Sequence, residues 1–117
     1  NAYAPYSGFR VGAAVLGASG TIYTGCNVEN VSYPVGLCAE RGALAAAVAG
    51  GDTVIQAVAI MGGNDHPCPP CGMCRQALSE FGPDMDVILL STEGQHRQMT
   101  LRDLLPEMFG PDFLKLA

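Results

Sequence analysis

Apolar and polar positions change period several times along this chain, and each change marks an element. Residues 9–16 are small and apolar, with Val11, Ala13 and Val15 at alternate positions, the pattern of a strand with one buried face. Gly17, Ala18, Ser19 and Gly20 read as a turn, and residues 21–26 as a second strand, so a hairpin is expected. Residues 27–37 hold Pro34 and Gly36 and read as a loop. Residues 38–49 are rich in Ala and Leu and predict a helix closed by Gly50 and Gly51. A strand follows at 54–61, then a loop at 62–70 dense in Gly, Asn, Asp and Pro. Residues 71–81 predict a second helix that stops at Gly82 and Pro83. Residues 87–90 read as a strand, and 101–105 as a short helix before Pro106. The run strand–helix–strand suggests a right-handed βαβ unit. With the leading hairpin it makes an α/β fold, a mixed sheet with helices on its faces.

Composition narrows the class. The 117 residues are one domain's worth of chain. Hydrophobic residues make up 49% and charged residues 15%, which excludes disorder. No apolar run approaches the roughly 18 residues of a membrane span, and no signal-peptide pattern opens the chain. Six basic residues stand against eleven acidic ones, a net charge of −5, so neither a nucleic-acid partner nor a membrane surface is expected. Five cysteines are an odd number, so complete internal pairing is impossible. Cys68, Cys71 and Cys74 lie close together and look like metal or redox chemistry in a reducing compartment, so a cytoplasmic place is expected.

Cys38, Cys71 and Cys74 invite a shared metal. Two thiolates spaced Cys-x-x-Cys can reach one tetrahedral ion at about 2.3 Å. Cys38 and Cys71 each open a predicted helix, where free N–H groups and the positive dipole end favour thiolate. Three thiolates leave the fourth position open, the mark of a catalytic zinc, and Glu40 is near enough in sequence to act there as general acid and base. Arg41 and Arg75 follow their cysteines closely and are candidates to hydrogen-bond the sulfurs and offset their charge. Two other readings stay open on spacing alone. A closed four-cysteine site would take Cys26 or Cys68 as fourth ligand. A redox pair would join Cys68 to Cys71.

The stretch Cys38-Ala39-Glu40 with Pro70-Cys71-Gly72-Met73-Cys74-Arg75-Gln76 resembles the signature of the zinc-dependent deaminases. Cys at position 38 is similar to the small, homotetrameric cytidine deaminases. So are Tyr3-Ala4-Pro5-Tyr6-Ser7, Phe9-Arg10-Val11-Gly12-Ala13-Ala14, Gly25-Cys26-Asn27-Val28-Glu29-Asn30, Leu104-Leu105-Pro106 and Phe109-Gly110-Pro111. The resemblance implies a three-layer α-β-α fold with a mixed central sheet of about five strands and helices on both faces. It implies a single domain over 1–117 that lacks a helix the family carries ahead of Tyr3. One Zn²⁺ per chain would sit on Cys38, Cys71 and Cys74, with Cys68 outside the ligand set.

The activity implied is hydrolytic deamination of cytidine and 2′-deoxycytidine in pyrimidine salvage, with a zinc-activated water and Glu40 as proton shuttle. By the same resemblance Asn27 and Glu29 hold the ribose 3′-hydroxyl. The Ala39 N–H meets the pyrimidine O2, and Phe9 packs near the base. Tyr33 and Phe113 reach into a neighbouring subunit's site in a tetramer with dihedral symmetry. Met73, where the family often has a small residue, and Cys68 depart from the pattern. His66 and His96 sit in polar, turn-like stretches and are expected at the surface, and Cys26 is expected to be a buried small hydrophobe.

Overall fold

Five strands form one mixed sheet in the order β2-β1-β3-β4-β5. The computed structural model describes residues 1–114. Strand β1 (Val11–Gly17) pairs antiparallel with β2 (Ile22–Cys26) and with β3 (Ile55–Gly62). Strand β3 pairs in parallel with β4 (Asp86–Leu90), and β4 pairs antiparallel with β5 (His96–Thr100). The parallel pair needs a crossover, which helix α2 (Gly72–Ser79) supplies. The predicted hairpin, both long helices and the strand–helix–strand unit are all present. Helix α1 spans Ala39–Ala49, so Cys38 and Cys71 stand just outside their helices as the capping residues.

Strand β5 is absent from the sequence reading. Its residues, His-Arg-Gln-Met-Thr, are polar apart from Met99, which packs against the core, because it is an edge strand with one side open to water. The turn before it does carry a signal: Gly94 holds φ at +81°, where a side chain is strained. His96 accordingly lies in a strand and not in a turn. Helix α3 (Leu101–Leu104) begins at a capping box, with Thr100 and Asp103 each accepting the other's backbone N–H.

The sheet has two unlike faces. Ala13, Val15, Val58, Ile60, Val87 and Leu89 are buried on one of them. They share a core with Ala43, Leu44 and Ala47 of α1, Leu78 of α2 and Leu101 of α3. Alternate positions Ala14, Leu16, Ile22, Met61, Ile88 and Leu90 form the second face and are half-buried or exposed. The fold is α/β with a five-stranded mixed sheet, as expected. The three α-helices all join the first face, and no helical layer lies on the second among the described residues. Cys26 belongs to this second face, half-exposed, with its Sγ 3.7 Å from the Asn1 carbonyl oxygen, and so is not the buried hydrophobe expected.

Small residues bring α1 down onto the hairpin. A side chain at Gly25 would meet the Ala43 amide nitrogen at 2.4 Å and the Ala39 carbonyl oxygen at 2.6 Å. The other end of α1 is pinned by Asp52, which is buried and accepts from Ser19 Oγ at 2.5 Å, Tyr23 Oη at 2.7 Å and the Ser19 N–H at 3.2 Å. These contacts fix where the start of α1 stands relative to β1 and β2, and that start carries the chemistry.

Candidate active site

The Sγ atoms of Cys38, Cys71 and Cys74 all lie within 4.8 Å of one another. Ligands at about 2.3 Å around a tetrahedral ion stand roughly 3.8 Å apart, so the trio fits one ion with little adjustment. Local structure explains the convergence. Cys38 and Cys71 have extended backbone (ψ 152° and 167°) and make no side-chain capping bond, which leaves both sulfurs free. Cys74 sits inside the first turn of α2 and is fully buried. The first N–H groups of both helices have no intrahelical acceptor and add positive potential at this spot.

Electrostatics at the trio favour a cation. Burial pushes the Cys74 thiol far above its ordinary range, and the charge of Glu40 and the thiols of Cys38 and Cys71 push it further. Burial also works to raise Cys71. The Cys74 N–H, the thiols of Cys74 and Cys38 and the Met73 N–H outweigh it and hold Cys71 below the usual thiol range. A divalent ion would relieve this conflict by stabilising all three thiolates together. The donor set, three soft sulfurs in a tetrahedral arrangement, suits zinc.

Arg41 stands beside one of the sulfurs. Its Nη2 donates to the Gly36 carbonyl at 3.3 Å and lies 4.0 Å from Cys38 Sγ. The Cys38 sulfur is the main reason its guanidinium is held above the usual range, against the effect of burial. Its Nε is buried without a hydrogen-bond partner among the described residues, a cost accepted to aim the charge at the sulfurs. Arg75 does not take the role expected of it. Its Nε donates to the Pro70 carbonyl and its Nη1 to the Leu104 carbonyl, both at 2.8 Å. It ties the loop before α2 to the end of α3, and those two carbonyls draw it away from the sulfurs.

A cleft of about 280 Å³ opens beside the trio. Cys38, Ala39, Glu40 and Cys71 line one end, and Cys68 and Pro69 the side. Phe9, Val11, Asn27, Glu29 and Ser7 complete it. Glu40 is buried, with 5% of its surface exposed, in the first turn of α1. Its charge reaches both Cys68 and Cys74. Cys68 stands outside the group of three sulfurs, which disposes of a closed site built on it. Neither His66 nor His96 lines the cleft; His66 is exposed, with Nε2 3.5 Å from Asp65.

The far end of the cleft is polar and built from backbone clamps. Asn27 accepts from the Val11 N–H at 2.9 Å and donates to the Phe9 carbonyl at 2.8 Å. Glu29 accepts from the N–H groups of Tyr6 and Ser7 at 3.0 and 3.1 Å and from the Ser7 hydroxyl. That hydroxyl is the main reason the Glu29 carboxyl is held below the usual carboxylate range; burial opposes it and the two N–H groups add to it. The clamps were not foreseen from sequence, and Ser7 is the residue that reasoning missed. Its place in Tyr3-Ala4-Pro5-Tyr6-Ser7 was the available signal.

Phe113 lies away from the cleft, and Tyr33 lines an adjoining hollow beside Asn27, Glu29, Cys38 and Cys71. Tyr33 is 75% exposed and meets Tyr6 edge to face at 6.0 Å. Phe113 is 71% exposed and stacks on Phe109 at 5.5 Å.

Residues 1–91 match the model of the cytidine and deoxycytidylate deaminase zinc-binding region. A cytidine deaminase of Sporosarcina psychrophila is 44% identical over 117 residues, covering 99% of this chain and 86% of that protein. One from Mycobacterium tuberculosis is 45% identical over 113 residues, covering 97% and 82%. The crystal structure of cytidine deaminase from Burkholderia pseudomallei superposes with a TM-score of 0.89 at 46% identity, covering 93% of this chain and 88% of that one. The chain therefore belongs to the cytidine and deoxycytidylate deaminase family. As a member it is a zinc-dependent hydrolase with one zinc per chain, and the trio Cys38, Cys71 and Cys74 is the group able to hold it. No helix among the described residues is long and apolar enough to cross a membrane.

Proposed function

We propose that the protein deaminates cytidine and 2′-deoxycytidine to the uridine forms, releasing ammonia. The observation that carries this is one cleft that gathers two chemically distinct groups: Cys38 and Cys71 of the three-thiol cluster with a buried Glu40, and the polar pair Asn27 and Glu29. Such a cleft takes a small polar ring with a sugar attached, and its size suits a single nucleoside.

Zinc held by Cys38, Cys71 and Cys74 would supply the Lewis acid that makes a water nucleophilic near neutral pH. Glu40 would take a proton from the attacking water and deliver it to N3 of the pyrimidine, which makes C4 electrophilic. As the new C–O bond forms at C4, Glu40 receives the second water proton and passes it to the exocyclic amine, which leaves as ammonia. Burial of Glu40 keeps bulk water from competing for these protons. Arg41 offsets part of the negative charge of three thiolates. The Ala39 N–H, unpaired at the helix start, donates to O2. Phe9 packs against the base. Asn27 and Glu29 receive the ribose 3′-hydroxyl; Glu29 accepts its proton with the lone pairs left over from loop 6–7. A contact to the 3′-hydroxyl and not the 2′ admits both sugars.

The chain acts as one domain over 1–117, in a homotetramer of the cytoplasm that serves pyrimidine salvage. The exposure of Tyr33 and Phe113, both large aromatic side chains, supports the assembly. Turnover is tested by the fall in cytidine ultraviolet absorbance with zinc-loaded protein. Steady conversion of cytidine and deoxycytidine is expected, and no conversion of either overturns the reading.

A further inference from the structure

We infer that Cys68 sets how large a group at C5 of the pyrimidine the site admits; this rests on the deaminase reading above. The wall it belongs to is built on Gly62, the last residue of β3. A Cβ there would come within 2.8 Å of Cys68 Cβ and 2.9 Å of Phe9 Cζ. Only a glycine lets these two side chains close over the strand end, so Phe9 and Cys68 form one continuous surface of the cleft.

The placement against C5 follows by elimination. A pyrimidine with C4 at the sulfurs, O2 at the Ala39 N–H, N3 at Glu40 and its sugar at Asn27 and Glu29 has one edge without a partner, C5 and C6. Among the lining residues, Ser7 belongs to the sugar end, because its hydroxyl donates to Glu29, and Val11 is half-buried and packs against the hydrophobic core. Phe9, Cys68 and Pro69 remain. The ring of Phe9 covers a face of the base. Cys68 is left for the edge, half-buried, with Sγ 3.8 Å from the Pro69 carbonyl oxygen and outside the metal-binding trio.

Chemistry agrees with geometry. Burial, and after it the charge of Glu40, raises the Cys68 thiol above its ordinary range. It stays a neutral, weakly polar side chain, suited to a C–H edge. A single methyl group in such a pocket changes transition-state binding by about ten- to two-hundredfold.

The test compares kcat/KM for 5-methylcytidine over cytidine, and in parallel the binding of the products 5-methyluridine and uridine by calorimetry. Zinc content and melting temperature are measured for each variant. Cys68→Ala should raise the methyl-to-unsubstituted ratio about tenfold or more. Cys68→Val, which is larger, should lower it, and the near-isosteric Cys68→Ser should leave it within about twofold. The product pair should follow the same order, which covers a variant that binds but turns over slowly. Ratios that stay within about twofold in both Ala and Val variants, or move the same way, overturn the assignment of Cys68 while leaving the deaminase reading intact. Wild-type zinc-loaded protein that neither converts cytidine nor binds uridine overturns both.

Discussion

The two ends of the cleft are built in opposite ways. At the sulfur end the functional groups hang on helix starts, and the helices are fixed by a close-packed core. Cys74 and Ala39 are fully buried, and Gly25 admits the backbone of α1 to contact. At the end proposed for the sugar, Asn27 and Glu29 are held by the N–H groups of Val11, Tyr6 and Ser7, in a region where Tyr6 and Ser7 are exposed and Glu29 is half-buried. The difference matches the two tasks proposed for these ends. Moving protons at C4 tolerates little displacement, whereas gripping a hydroxyl needs pre-aimed acceptors and leaves room for entry and release.

Removing a sulfur should cost most. Cys74→Ala is expected to lose zinc and all measurable turnover, read by metal analysis alongside the absorbance assay. Glu40→Gln should keep its zinc, because Glu40 is not one of the three donors. It should lose about 10²–10⁴-fold in kcat, and retained metal with lost rate is the outcome that separates proton transfer from folding.

At the other end, effects should be smaller and of a different kind. Glu29→Gln removes a charged acceptor and should lower kcat/KM by about ten- to a hundredfold with zinc unchanged. A matching loss on nucleoside and on free cytosine would contradict a sugar contact. Ser7→Ala is the mildest. Glu29 is ionised in its clamp and its carboxyl is held down chiefly by Ser7, so the clamp is intact at neutral pH and is lost as pH falls through the lowered value. Without the hydroxyl that loss should begin at higher pH, toward the ordinary carboxylate range, with little change in rate at pH 7. A pH profile of KM for the two proteins checks it.

The sulfur end was the more legible in sequence, and the construction explains why. Cys38 and Cys71 announce themselves because a cysteine at a helix start, and a second at Cys-x-x-Cys spacing, encode their geometry locally. The sugar end depends on contacts between segments far apart in the chain, such as Glu29 with Ser7 and Asn27 with Phe9, which no local pattern reports. Arg75 shows the limit of spacing. One turn of helix is enough to suggest a sulfur contact, but the carbonyl of Leu104, 29 residues on, takes the guanidinium instead. Strand β5 escaped because an edge strand has no buried face to impose alternation on both sides.

Cys38 and the Cys71–Cys74 pair belong to different helices and are separated by roughly 30 residues of chain, so an ion held among them closes a long loop. Mass action then links metal supply to the survival of the fold. Each tenfold rise in free zinc above its dissociation constant adds about 1.4 kcal/mol to the stability of the native state. Starved of metal, such a chain unfolds and is degraded more readily, so the amount of enzyme present, and not only its rate, would track the zinc available where it works.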